Sequence, residues 1–431
     1  MTRSNEELIA ERARLLGPNV STFYEEPVHL VQGEGVWVRD ADGRRYLDCY
    51  NNVPHVGHCH PKVVEAISSQ AATLNTHTRY LHEGILRYVD KLTATFDAPL
   101  KTAIMTCTGS EANDIALRMA EAVTGKRGVI ATDHTYHGNT TVVAQLSMTN
   151  RPGTGGGDNV RHVPAPDSYR PLGGEGGAAH AQAFAAEVQR QIDDLEACGH
   201  GFSALIICPY FANEGFPDLH EGFLAPAIDI VRRAGGLIIA DEVQPGFGRI
   251  GSHMWGYQRA GILPDVVTLG KPMGNGHPVA GVVTSMEVMT AFRSSFRYFN
   301  TFGGNPVSCA AAEAVLDVLE EEGLVAQAHD VGAYARERLE DLATRHACIG
   351  DVRGSGLFFG AEMVLDRDTK EPATAFTKRL ANEMRREGVL INFLGIHYNV
   401  LKIRPNMQFT RENADVLIDT LDTVLSRVPL K

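Results

Sequence analysis

From residue 103 to 285 the chain repeats one pattern, a short and nearly unbroken apolar run followed by a longer stretch with apolar residues at helical spacing. The runs cover 103–107, 129–133, 204–209, 236–243, 266–271 and 279–285. A run without apolar–polar alternation reads as a strand buried on both faces, which requires helices on both sides of its sheet. The region therefore predicts an α/β fold with a doubly wound, mostly parallel sheet. Before it, residues 1–17 read as an amphipathic helix, 36–48 as a hairpin bending at Asp42-Gly43, and Pro61 as the first residue of a helix to about 74. After it, Thr301-Phe-Gly-Gly-Asn-Pro306 opens a long helix over 307–321. From Leu324, helices alternate with strands such as 357–364 and 400–404, which reads as a separate, smaller α+β domain. Glycine clusters at 153–157 and 173–177 have no strand feeding directly into them and read as surface loops, not phosphate cradles.

Two of the buried runs end in ionisable groups. Leu-Ile-Ile-Ala-Asp241 and Val266-Val-Thr-Leu-Gly-Lys271 would deliver a carboxylate and an amine to the carboxyl edge of the sheet, where open α/β folds keep their ligands. A lone strand-end charge is far more often a loop or surface residue. The pair is more telling, because an amine that forms a Schiff base and a carboxylate that keeps a pyridine nitrogen protonated are what pyridoxal phosphate chemistry needs. Gly109 and Ser110 follow the first run at the start of a helix, where free amides suit a phosphate dianion. Gly-Ser before a helix marks any N-cap, however. Tyr136, in the segment His134-Thr-Tyr136-His137-Gly138 after the second run, is placed either to stack on a flat ring or to pack a loop.

Composition narrows the partners. The 431 residues can bury a large core in two or three domains, and 44% hydrophobic with 21% charged residues is ordinary for a globular protein. A formal charge of −12 disfavours nucleic acid and anionic membrane. No apolar run approaches the ~20 residues of a membrane helix. The first residues carry acids and no apolar core, unlike a secretory signal or transit peptide. Seven cysteines without a C-x-x-C pair suit a reducing cytoplasm. His55, His58, Cys59 and His60 have a metal-like spacing but no second ligand cluster, so we expect a polar loop lining the active site and no metal. Arg79, before the next helix, fits a solvated charge as well as an anion anchor.

Taken in order, Thr108-Gly-Ser-Glu-Ala-Asn, Tyr136-His-Gly, Ile239-Ala-Asp-Glu-Val-Gln-Pro-Gly-Phe-Gly-Arg, Gly270-Lys-Pro-Met-Gly-Asn-Gly and Thr301-Phe-Gly-Gly-Asn-Pro resemble the class III (subgroup II) aminotransferases, fold-type I pyridoxal phosphate enzymes, over nearly the whole chain. The resemblance implies a homodimer with active sites at the subunit interface. It also implies an N-terminal segment 1–48 joining the small domain, a large cofactor-binding domain over 49–322 and a small domain over 323–431. By motif, Lys271 looks like the Schiff-base lysine and proton shuttle, and Asp241 like the partner of the ring nitrogen. Val243 would pack under the ring, Gln244 reach its phenolic oxygen, and Tyr136, beside His137, stack on the other face. Gly109 and Ser110 would hold the cofactor phosphate, with Thr301 arriving from the other subunit.

Within the family the chain is similar to the branch holding ethanolamine-phosphate phospho-lyase, phosphohydroxylysine phospho-lyase and alanine–glyoxylate aminotransferase 2. The shared text includes residues 49–61, Arg79-x-Leu-His82, Gly270 to Pro278 and Asn399-Val-Leu-Lys-Ile-Arg-Pro405. Amino-acid aminotransferases of the class place an arginine where this chain has Lys402, and those acting on ω-amino acids pair it with a glutamate near the position aligned with Asn213. A planar guanidinium suits a carboxylate, whereas an ammonium is a point charge that serves phosphate. Loss of both members favours a phosphorylated amine gripped by Arg79, Lys402 and Arg404. The expectation is β-elimination of phosphate from O-phosphoethanolamine to acetaldehyde and ammonia; the alternative is transamination from an amine or amino acid to pyruvate or glyoxylate.

Overall fold

The computed structural model describes residues 3–148 and 157–430, whose strands pair into three sheets. Strands β1 (Leu30–Glu34), β2 (Trp37–Asp40) and β3 (Arg45–Asp48) form an antiparallel N-terminal meander. The central sheet contains β4 (Thr102–Thr106), β5 (Gly128–Thr132), β6 (Val160–Val163), β7 (Phe202–Ile207), β8 (Leu237–Asp241), β9 (Val266–Leu269) and β10 (Ala280–Thr284), in the order β4-β10-β9-β8-β7-β5-β6. Only β10 runs antiparallel to its neighbours in this sheet. The reversal follows from the short link over 270–279, which is too brief for the crossover that a parallel strand demands.

Side chains of β8 alternate between two cores, as period-2 geometry requires. Leu237 and Ile239 pack with Ala112, Ala116 and Leu117 of the helix Gly109–Thr124, while Ile238 and Ala240 join the larger core containing Trp255 and Val267. Asp241, two residues beyond Ile239, continues the face covered by the helix Gly109–Thr124. That parity fixes which neighbours its carboxylate meets.

The C-terminal region contributes β11 (Ile349–Ser355), β12 (Phe358–Asp366), β13 (Glu371–Pro372), β14 (Val389–Leu390), β15 (Asn392–Leu394) and β16 (Val400–Ile403). Four of these line up as β11-β12-β16-β15, with β13 on β12, while β14 pairs in parallel with β3. The N-terminal meander is thereby stitched to the end of the chain.

One expected element shifts in detail. The first helix spans Asn5–Leu16 behind a Ser4 N-cap, because Ser4 and Glu7 satisfy each other's backbone amides in a capping box. Gly173 and Gly174 sit in an exposed, left-handed turn, whereas residues 153–156 of the other glycine cluster lie outside the described residues. Among the described residues no helix is long and apolar enough to cross a membrane.

Candidate active site

The carboxyl edge of β8 and β9 borders a cleft of about 270 Å³ lined by Gly109, Ser110, Tyr136, Asp241, Val243 and Lys271, among others. That volume lies near the lower end of small-ligand sites. Asp241 and Lys271 leave neighbouring strands whose register pairs Asp241 with Thr268. Lys271 follows β9 by two residues and starts a 3₁₀ turn, Lys271–Gly274, with φ of 29°. Positive φ is strained for a residue with a side chain and concentrates at functional positions. Here the turn keeps the lysine on the cleft side. Lys271 is exposed on the cleft side, yet the protein around its amine and the Arg404 charge lower its pKa, and the opposing pull of Asp241 does not restore it.

Asp241 is buried and richly bonded. Its Oδ2 accepts from His137 Nδ1 at 2.6 Å and Asn113 Nδ2 at 3.0 Å, and its Oδ1 accepts from the Val243 amide at 3.0 Å. Burial alone would raise its pKa, yet the hydrogen bond and charge of His137, the Val243 amide and Lys271 together hold it below the usual carboxylate range. The carboxylate is kept ionised in a place where water cannot keep it so.

At the other wall, the helix Gly109–Thr124 points its N-terminus at the cleft. Thr108 and Glu111 close a capping box there, taking the amides of Cys107, Thr108 and Glu111. The amides of Gly109 and Ser110 belong to the orphan set that a helix start offers an anion. Space is tight: a side-chain carbon on Gly138, at φ 142°, would collide with Ser110, and one on Gly109 would come within 3.1 Å of Val243. Tyr136 borders the cleft, its hydroxyl donating to Asn139 Oδ1 at 2.5 Å. His137 is less a wall than a brace, since its ring nitrogens face Asp241 and, at 2.8 Å, Thr135 Oγ1.

Gln244 closes the side nearest the C-terminal sheet, where Lys402 lies on β16. Its Oε1 accepts from Lys402 Nζ at 2.9 Å and from Arg404 Nη1, while its Nε2 donates to Asn213 Oδ1 at 3.1 Å. Lys402 and Arg404 are buried, 3% and 4% exposed, one side chain behind the cleft. Among the described residues Arg404 reaches one other acceptor, the Tyr50 carbonyl at 3.4 Å. Burial lowers both cations, Arg404 to about 10, and Lys402 feels the charges of Arg404 and Lys271 besides.

Glu214, the next residue after Asn213, is buried and bonded to Thr132 Oγ1 and the Asn213 amide; its charge acts on Lys402, yet among the described residues it makes no hydrogen bond or ion pair with that amine. Burial raises its pKa.

Some predicted residues do not converge. Arg79 lies 3.9 Å above the Phe299 ring on the exposed surface, and Thr301 is also exposed; neither lines this chain's own cleft. His55 bonds the Phe247 carbonyl and Arg249, His58 bonds Asp48, and His60 bonds Glu322, so the three rings diverge. Sequence reasoning missed Asn113 and Thr268. Both carried a signal, each being a polar residue inside an otherwise apolar stripe or run.

An ionised carboxylate, a lysine of lowered pKa and helix-start amides around one narrow cleft fit the ring nitrogen, aldehyde and phosphate of pyridoxal phosphate. Comparison with known proteins points the same way. The aminotransferase class III family model matches residues 21–425. An alanine–glyoxylate aminotransferase 2-like protein of Drosophila melanogaster is 42% identical over 428 residues, covering 96% of this chain and 85% of its own. Ethanolamine-phosphate phospho-lyase homolog 1 of Caenorhabditis elegans is 37% identical, covering 98% and 94%. A solved structure of a phospholyase from Arthrobacter in complex with phosphoethanolamine superposes with a TM-score of 0.94 at 45% identity, covering 98% of this chain and 100% of that one. The chain belongs to the class III aminotransferases, a family of pyridoxal phosphate-dependent enzymes with a mixed α/β fold.

Proposed function

We propose that this chain is an ethanolamine-phosphate phospho-lyase, converting O-phosphoethanolamine and water to acetaldehyde, ammonia and phosphate. The observation that carries the reading is the pair Lys402 and Arg404, two buried cations that share one neutral acceptor, Gln244 Oε1, and make no ion pair among the described residues. Buried charge without a counter-charge is costly. A phosphate dianion answers two positive charges, whereas a substrate carboxylate answers one. Such an anion would compete with the Gln244 amide for the same donors. The phospholyase from Arthrobacter, in complex with phosphoethanolamine, supports the same substrate class.

When bound, pyridoxal phosphate supplies an aldehyde that condenses with the substrate amine and a cationic ring that accepts the electron pair left by proton removal. Asp241 would keep its ring nitrogen protonated, and Val243, Tyr136 and the amides of Gly109 and Ser110 would hold it, the amides taking its phosphate. Lys271, freed as a neutral amine, removes the proton from the substrate carbon bearing nitrogen. The neighbouring carbon–oxygen bond then breaks and phosphate leaves with the electron pair, steadied by Lys402 and Arg404. The unsaturated amine that remains hydrolyses to acetaldehyde and ammonia. Exposed Tyr80, Leu81, Phe299 and Phe302 support a homodimer in which a second copy covers this face and brings Thr301 and Arg79 to the partner's cleft. Seven unpaired thiols support a cytoplasmic location.

Glu214 beside Lys402 favours a second reading, transamination from an amine or amino acid to pyruvate or glyoxylate, because a switchable acid–base pair could alternate substrates. Incubation with O-phosphoethanolamine and no oxo acid separates the two. Equal amounts of phosphate and acetaldehyde are expected; no phosphate release, with alanine or glycine forming only when pyruvate or glyoxylate is added, overturns the lyase.

A further inference from the structure

Asn113 is fully buried, on the helix Gly109–Thr124, and every polar atom of its amide is engaged. Its Nδ2 reaches the His137 carbonyl at 2.7 Å and Asp241 Oδ2 at 3.0 Å. Both partners only accept, so that atom must be the amide nitrogen. The amide oxygen in turn accepts from Thr268 Oγ1 at 2.7 Å. Thr268 is the residue that the β8–β9 register sets opposite Asp241. Strand pairing, a hydroxyl and a side-chain amide thus form one chain of contacts ending on the carboxylate.

Counting acceptor sites shows what the chain does. An ionised carboxylate offers roughly four. Two on Oδ2 are filled, by His137 and Asn113, and one on Oδ1 is filled by the Val243 amide. Among the described residues the remaining acceptor site is on Oδ1, and Asp241 borders the cleft. Were the Asn113 amide absent or turned over, Oδ2 would recover a lone pair and the carboxylate could present either oxygen. Its negative charge would also be less stabilised, so a shared proton would move toward it and away from a ring nitrogen.

We propose that Asn113, its amide locked by Thr268, is a positioning residue that commits Oδ1 of Asp241 to the cofactor ring and keeps the ring nitrogen cationic. The inference rests on Asp241 facing that nitrogen and is independent of which amine is the substrate.

The test follows the resting holoenzyme's visible absorbance band as a function of pH, together with the cofactor dissociation constant. A less cationic ring makes the lysine-bound cofactor nitrogen more basic, so the band's midpoint should move to higher pH. Asn113→Ala should raise it by roughly half a unit or more and weaken cofactor binding about tenfold, as expected for one hydrogen bond to a charged group. Thr268→Val, of the same shape without the hydroxyl, should move the midpoint the same way by less, and Thr268→Ser should return it to the parent value. If Asn113→Ala does not fold, the Thr268 pair carries the test. A midpoint that moves in Asp241→Asn but stays at the parent value in Asn113→Ala and Thr268→Val, with only thermal stability lowered, overturns this inference alone. An unchanged midpoint in Asp241→Asn overturns the ring-nitrogen role of Asp241 and this inference with it.

Discussion

Asp241 lines the cleft and Lys402 stands one side chain behind it, yet the protein answers their charges in opposite ways. Around Asp241, the hydrogen bond and charge of His137, the Val243 amide and the Lys271 charge hold the carboxylate below its ordinary pKa in spite of burial. Around Lys402, burial, Arg404 and Lys271 all push the amine toward neutrality, and the single neutral acceptor is shared. The first charge is complete without substrate and is a built electrostatic fixture. The second is incomplete, and an anionic ligand would complete it. On the proposed reading, the preorganised end performs the chemistry and the frustrated end selects what undergoes it.

The sharpest way to break the comparison is at Lys271. Lys271→Ala should abolish the visible band of the bound cofactor and lower turnover by at least about 10³-fold, since it removes both the covalent anchor and the proton carrier. Parent-like turnover and spectrum in that variant would dissolve the whole account. Asp241→Asn comes next. It keeps the shape but removes the charge, and should cost on the order of 10²- to 10³-fold in kcat with little change in apoprotein folding.

Lys402→Met sharpens the contrast from the other end and in the opposite direction. A buried, unpaired cation is replaced by an apolar chain of similar length, so the apoprotein should gain about 1–3 kcal/mol by chemical denaturation while handling substrate worse. The pH dependence carries a definite sign. Because its folded pKa is lowered from 10.5, Lys402 holds fewer protons folded than unfolded, and its contribution to stability rises with pH between that lowered value and 10.5. The advantage of Lys402→Met should therefore be greatest at the acidic side of this window and shrink toward pH 10. A gain that is flat across the window would mean that Lys402 is not strained by its charge. The smallest effect is expected from Glu214→Gln, because a buried carboxyl of raised pKa loses little when amidated. A large change in its use of O-phosphoethanolamine, measured as kcat/KM, would move weight to the transaminase reading.

Much of this site was readable from residue order, because β8 and β9 are apolar runs whose ends can only emerge at a sheet edge. Asp241 and Lys271 are separated by a single helix-and-loop excursion, so local pattern sufficed to bring them together. Asn113 and Thr268 are 155 residues apart and meet only through packing of a helix on a strand, a contact no periodicity encodes. Arg79 and Thr301 are legible as motif but sit on the surface of a single chain. On the proposed dimer, a second copy would complete their neighbourhood.

The most direct measurement is a pair of titrations of the holoenzyme, with O-phosphoethanolamine and with ethanolamine, followed by the visible band. The account predicts that the phosphorylated amine saturates at concentrations about 100-fold lower, the equivalent of one or two charged hydrogen bonds, and that Lys402→Met erases most of the difference. Equal affinity for the two amines, or a preference for the phosphorylated one that survives intact in Lys402→Met, would contradict it.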